Sequence, residues 1–195
     1  MTEYKAYAQA AEAIRTHLLF PETRQLLDVW LTLWEAGMQG LPDRRKIDPT
    51  VMPRLLPRIF ILERTNEENR LKYRLAGEEI NRRYDYGLIG KHLDEITPAD
   101  ALPRIESYFR ATFELPAIIL LSGILFSERD KPGYGERLLL PICDPSSDRP
   151  GILGMTYQKQ LFPDADAARA SSNRTLYTAD LATGELEQAD ATVPK

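Results

Sequence analysis

At 195 residues, with 43% hydrophobic and 28% charged side chains, the chain has the makeup of one soluble globular domain with extensions, long enough to bury a core without disulfides or a structural metal. The formal net charge of −4 lacks the basic surplus of a nucleic-acid binder. The lone cysteine, Cys143, forbids an intrachain disulfide and fits a reducing compartment. The N-terminus shows no apolar signal-peptide core, and the longest apolar run, 117–126, is shorter than the roughly 20 residues of a membrane helix. The expectation is a cytoplasmic protein with neither nucleic-acid nor membrane partners.

Residues 3–19 are predicted as a helix on the three-and-four spacing of Tyr4, Tyr7, Ala11, Ile14 and Leu18. Two heptads are too few for a coiled coil, so the seam either packs on its own domain or meets a second protomer. Phe20-Pro21 ends the helix. A second helix over 22–36 carries Leu26, Leu27, Trp30, Leu33 and Trp34 on one face and stops at Gly37 and Gly40. Tryptophans four apart are core residues that each need a partner for the indole N–H. Asp48-Pro49 predicts one helical turn around 49–55, with Asp48 as its cap. A short strand follows at 58–63, then the polar turn "RTNEENR" and a second strand, "LKYRLAG", which makes the pair a hairpin. Strict alternation puts Leu71, Tyr73 and Leu75 on one face of that strand, and Lys72, Arg74 and Ala76 on the other.

From 78 to 96 the sequence breaks into short helical pieces punctuated by Gly87 and Gly90. A longer helix is predicted from Thr97-Pro98, with Thr97 as N-cap and Leu102, Ile105, Phe109 and Phe113 as its buried stripe. Pro103 sits awkwardly inside it. Three strands close the domain at 117–126, 136–143 and 151–161, joined by the turn-rich "DKPGYG" and "DPSSDRP". Beyond Phe162 the composition drifts to Ala, Asp, Ser and Thr, and "LYTADLATGELE" is either a small hairpin turning at Gly184 or part of a disordered tail. The organisation read from this is N-terminal helices over 1–40, a domain over 41–162 and a tail over 163–195. Runs of strands without βαβ alternation argue for an antiparallel sheet with helices on one face, an α+β fold.

Few residues offer chemistry. Gly77 stands between strand and helix as phosphate-binding glycines do, but no further glycine follows at the dinucleotide spacing. Glu78 and Glu79 place negative charge where a phosphate would sit. "GYGER" at 133–137 leads into a strand instead of a helix. His17, His92 and Cys143 show no paired zinc-ligand spacing. His92 as the single axial ligand of a haem is weighed against a polar histidine at a helix start, and the latter is preferred. Nucleophilic catalysis would route through His17 or His92 without a partner motif, and nothing singles out an acid/base pair among the carboxylates. The "NRT" sequon at 173–175 has no meaning in the cytoplasm. No enzyme, cofactor or metal is expected.

The order of elements is informative where single motifs are not. In "LLDVWLTLW" (26–34), "LPDRRKIDPTVMPRLLPRIFILE" (41–63), "YRLAGEEI" (73–80), "GLIGKHLDEI" (87–96) and "LLLPICD" (138–144), the chain resembles a PAS domain. More narrowly, it resembles the small single-domain PAS proteins common in alphaproteobacteria. The resemblance implies a five-stranded antiparallel sheet whose helices enclose a small-molecule site and signal through sheet or flanking helices. On this view Gly77 frees the chain to turn sharply into the helices over the cavity. No flavin-type cysteine motif stands in 85–96 and no effector pattern follows Phe162, so the implied output is contact with an unidentified signalling protein in bacterial signal transduction. Candidate ligand contacts are Tyr73, Leu75, Ile80, Tyr84, Leu88, His92, Phe109, Leu121, Leu140 and Met155, each with a plain core alternative. Tyr73, Tyr84 and His92 are the ones able to orient a ligand. Tyr7, Ile14, Leu18, Trp30 and Trp34 are expected to contribute to a symmetric homodimer interface. Two other functions stay open: a ligand-free dimerising scaffold, and a small α+β enzyme with an enclosed site around a buried carboxylate or His92.

Overall fold

The two N-terminal stripes build two helices in the computed structural model, α1 (Thr2–Arg15) and α2 (Pro21–Gly37). The structure describes residues 2–37, 40–66, 70–84, 87–128, 131–146, 149–160 and 174–191. After α2, Asp48 caps a 3-10 turn over Pro49–Val51, its side chain accepting the Thr50 N–H at 2.8 Å. A further 3-10 turn, Leu56–Arg58, delivers the chain into β1 (Ile59–Arg64), which pairs with β2 (Leu71–Ala76). Short helices α3 (Glu78–Asn81) and α4 (Leu93–Ile96) come next, then α5 (Leu102–Glu114). Pro103 falls in the first turn of α5, where its missing N–H costs no hydrogen bond, so regular helix begins at Leu102 and not at Thr97.

Strands β3 (Ala117–Glu128), β4 (Lys131–Asp144) and β5 (Arg149–Gln160) follow, and β4 takes up part of the expected "DKPGYG" loop. A final hairpin, β6 (Thr175–Asp180) and β7 (Leu186–Asp190), turns at Gly184 with φ +78°. All seven strands form one antiparallel sheet in the order β2-β1-β5-β4-β3-β6-β7. The α+β architecture is the one expected, with seven strands where five were predicted. The extra two belong to the hairpin, and β6 runs along β3 from Ala117↔Asp180 to Ser122↔Thr175. The proposed boundary at 162 and the start of the sequon at Asn173 lie outside the described residues, as does the side chain of Tyr4.

Helices α3–α5 cover one face of the sheet and the N-terminal helices pack on the other. Ile59, Ile61, Ile118, Leu120, Leu138, Leu140, Leu153 and Met155 meet α1 and α2 in one apolar cluster. Phe60, Leu62, Tyr73, Ile119, Leu121, Leu139 and Ile152 meet α3–α5 in the other. The first cluster uses up the residues assigned to a dimer interface. Ile14, Leu18 and Trp30 are fully buried in their own chain, and Trp34 is nearly so. Tyr7 stacks on Trp34 at 4.6 Å between ring centroids, and the Trp30 indole N–H donates to the Pro141 carbonyl at 2.8 Å. These side chains have little or no surface left for a second protomer.

Candidate functional site

On the α3–α5 face, two recesses flank one side chain, Arg137. Strand alternation in β4 aims Leu138, Leu140 and Ile142 at α1 and α2, so Arg137 and Leu139 point the other way. Arg137 sits between Leu121 of β3 and Thr156 of β5 in the ladder. Its Nε donates to Thr156 Oγ1 at 3.1 Å and its Nη1 to the Tyr108 hydroxyl at 3.2 Å. The guanidinium carbon also lies 5.9 Å from the centre of the Phe109 ring, within reach of a cation–π attraction. An arginine keeps its charge at any physiological pH, so this face carries a fixed cation among aromatic rings.

The smaller recess, about 20 Å³, is lined by Phe60, Tyr73, Ile80, Arg83, Tyr84, Arg137 and Thr156. That is room for one or two water molecules. Tyr73 is buried, and burial pushes its phenol well above the usual tyrosine range, so it is a neutral hydrogen-bonding group. The larger recess, about 160 Å³, lies between α5, the sheet and the terminal hairpin; its lining includes Arg104, Ile105, Tyr108, Leu121, Leu125, Arg137 and Arg174. Arg174 is held by the Ile124 and Leu125 carbonyls, which accept from its Nε and Nη2.

The predicted ligand residues therefore separate into groups. Tyr73, Ile80 and Tyr84 come together at the small recess, and Leu121 lines the large one. Phe109 and Leu88 are packed inside the same apolar cluster without lining either recess. Leu140 and Met155 face α1 and α2, because alternation in β4 and β5 gives them the opposite parity to Leu139 and Ile152. Leu75 is 39% exposed. The β1–β2 register jumps between Ile61↔Leu75 and Leu62↔Tyr73, and this bulge at Arg74 reverses the alternation so that Ala76 points inward instead.

His92 lines neither recess. It opens α4, its Nδ1 2.9 Å from Glu95 Oε1, and Arg70 grips Asp94 through two bonds of 3.1 and 2.7 Å and reaches Glu95 at 3.3 Å. His92 is thus part of a charged clasp that pins α4 to β2. Gly77 likewise plays a different part from the expected one. Its φ of −68° is open to any residue, but a Cβ would stand 2.2 Å from the Leu56 carbonyl oxygen, so close approach and not a sharp turn requires glycine.

Arg104, Tyr108, Arg137, Thr156 and Arg174 are the site residues that sequence reasoning missed. For Arg137 a signal existed: "ERLLLPIC" sets two charges at the head of an apolar strand, and charges in a central strand point to buried polar work. Among the described residues, no group of three or more His, Cys, Asp or Glu is placed to hold a metal ion, and no helix is long and apolar enough to cross a membrane. In comparison with known proteins, the family model of the PAS domain matches residues 19–157. No curated protein and no solved structure matches the chain.

Proposed function

The chain belongs to the PAS family, and from that premise we propose that it is a sensor that takes up a small molecule on the α3–α5 face and reports occupancy to another protein by contact. The observation that carries this reading is Arg137, a permanent charge set in the sheet between two recesses and hydrogen-bonded to Tyr108 and Thr156. Arg137 is half-buried, and taking a charge even partly out of water is costly. The chain works by binding and not by catalysis on this reading. The titratable groups around the recesses are mainly arginines and phenols, which grip and orient at neutral pH but exchange protons poorly.

The test is native mass spectrometry of the freshly purified protein beside a thermal-shift screen of metabolites. A ligand at about 100 times its dissociation constant adds roughly 2.7 kcal/mol. At about 2–4 °C per kcal/mol for a chain of this size, the shift is several degrees. A retained small molecule or a clear hit supports the sensor. No adduct and no shift overturns it in favour of a second reading, a ligand-free scaffold that acts through its surfaces alone. The small volume of the recess beside Tyr73 favours that reading. A second copy would then dock through residues other than the buried Ile14, Leu18 and Trp30, and light scattering measures whether it does.

A further inference from the structure

The larger recess is built in part from outside the matched segment: Arg174, Leu176, Asp190 and Ala191 all lie beyond residue 157. Its charge is lopsided. Among the described residues, Arg104 of α5, Arg137 of β4 and Arg174, just ahead of β6, bring three guanidinium groups to walls that carry one carboxylate, Asp190. Arg174 feels the other two. Burial first, and then the fields of Arg104 and Arg137, hold Arg174 below the ordinary arginine value. The rest of the wall is largely hydrocarbon from Ile105, Leu121, Leu125 and Leu176. Like charges gathered in a partly apolar recess raise one another's energy, and an incoming anion reverses that cost.

We propose that this recess binds a small monocarboxylate with a compact apolar body of about benzoate size, its carboxylate on the arginines and its body on the leucines. The proposal rests on the sensor reading above and narrows it to a ligand class and a place. Size follows from volume: about 160 Å³ is close to the roughly 150 Å³ of a cavity that accepts benzene. Chemistry follows from charge: guanidinium N–H groups form charge-assisted hydrogen bonds to a carboxylate. A ligand held this way bridges α5 to the terminal hairpin, so occupancy would be felt at the β6 end of the sheet.

Isothermal titration calorimetry on the full chain tests it, with benzoate, phenylacetate and isovalerate as probes and benzamide as the uncharged counterpart of benzoate. Arg104→Gln and Arg174→Gln are titrated in parallel, with circular dichroism to establish that each is folded, and the metabolite screen is run alongside. At least one carboxylate should bind. If it is benzoate, benzamide should bind about tenfold more weakly or not at all, and each folded variant should weaken the carboxylate by about tenfold, the worth of one charge-assisted hydrogen bond. Arg104→Gln carries the test if Arg174→Gln fails to fold. Benzamide binding as tightly as benzoate, or carboxylate binding undiminished in the folded variants, overturns the proposal. No carboxylate binding beside a hit from an uncharged metabolite overturns the anion site and leaves the sensor standing. No binding of any compound overturns both.

Discussion

Glu136 and Arg137 are neighbours in β4, yet they point to opposite faces of the sheet, and the two faces treat their charges differently. On the α1–α2 side the Glu136 carboxylate accepts the Leu19 N–H at 2.5 Å and the Thr23 hydroxyl at 2.6 Å, with the Phe20 N–H at 3.5 Å. It serves the start of α2, beside the apolar cluster that α1 and α2 form with the sheet. On the α3–α5 side, Arg137 meets a phenol, a threonine hydroxyl and an aromatic ring, with open volume beside it. One face uses its charge to fix a helix to the sheet. The other leaves open volume beside its charge.

The sharpest way to break the contrast is Trp30→Ala. Trp30 is fully buried on the closed face and loses both its packing and its bond to Pro141, so urea unfolding should show a loss of about 3–5 kcal/mol. A loss under 1 kcal/mol would mean that the α1–α2 face is not tightly packed.

A smaller effect is expected from Glu136→Ala, about 2 kcal/mol, because donors at Leu19 and Thr23 lose their acceptor. Glu136→Gln sharpens the point through pH. Burial outweighs the hydrogen bonds from Thr23, Leu19 and Phe20 and raises the Glu136 carboxyl above its ordinary 4.5. A carboxyl raised on folding adds stability below its unfolded value and loses it as pH climbs through the folded one. The wild type should therefore lose stability relative to Glu136→Gln as pH rises from about 4.5. A difference that stays constant with pH would show that burial does not control this carboxyl.

The smallest effect is predicted for Leu75→Ser, within about 0.5 kcal/mol, since the bulge leaves this side chain substantially exposed. A loss of 2 kcal/mol or more in chemical denaturation would restore the unbroken alternation and put Leu75 back in the core.

That bulge marks one limit of what the sequence discloses. Periodicity located both N-terminal helices, the β1–β2 hairpin and the strands after α5, because each is a local pattern with a local cause. Nothing in "KYRLAG" announces an extra residue at Arg74, since the register is set by Ile61 and Leu62 across the ladder. The side chains chosen on α1 and α2 for a dimer turned out to be covered within the chain, for a related reason. An apolar stripe states that it must be covered, and here the cover is Leu138, Leu140, Leu153 and Met155 of the chain's own sheet. A small part of the candidate site was legible, through Tyr73, Ile80, Tyr84 and Leu121. The arginines were not, because Arg104, Arg137 and Arg174 are brought together only by the sheet order and the returning hairpin.

The returning hairpin has a consequence for how the chain keeps to itself. Between Ala117 and Ser122, β3 is among the most apolar stretches of the protein, and β6 supplies the hydrogen bonds along its outer edge. Open strand edges of that kind recruit strands from other molecules. With the hairpin in place the sheet, among the described residues, instead ends at β7, five residues long, with Glu187, Gln188 and Asp190 exposed. Because β3 is synthesised before β6, a nascent or truncated chain presents the sticky edge without its cover. Aggregation and strand exchange between copies are then the hazards that the last two strands remove.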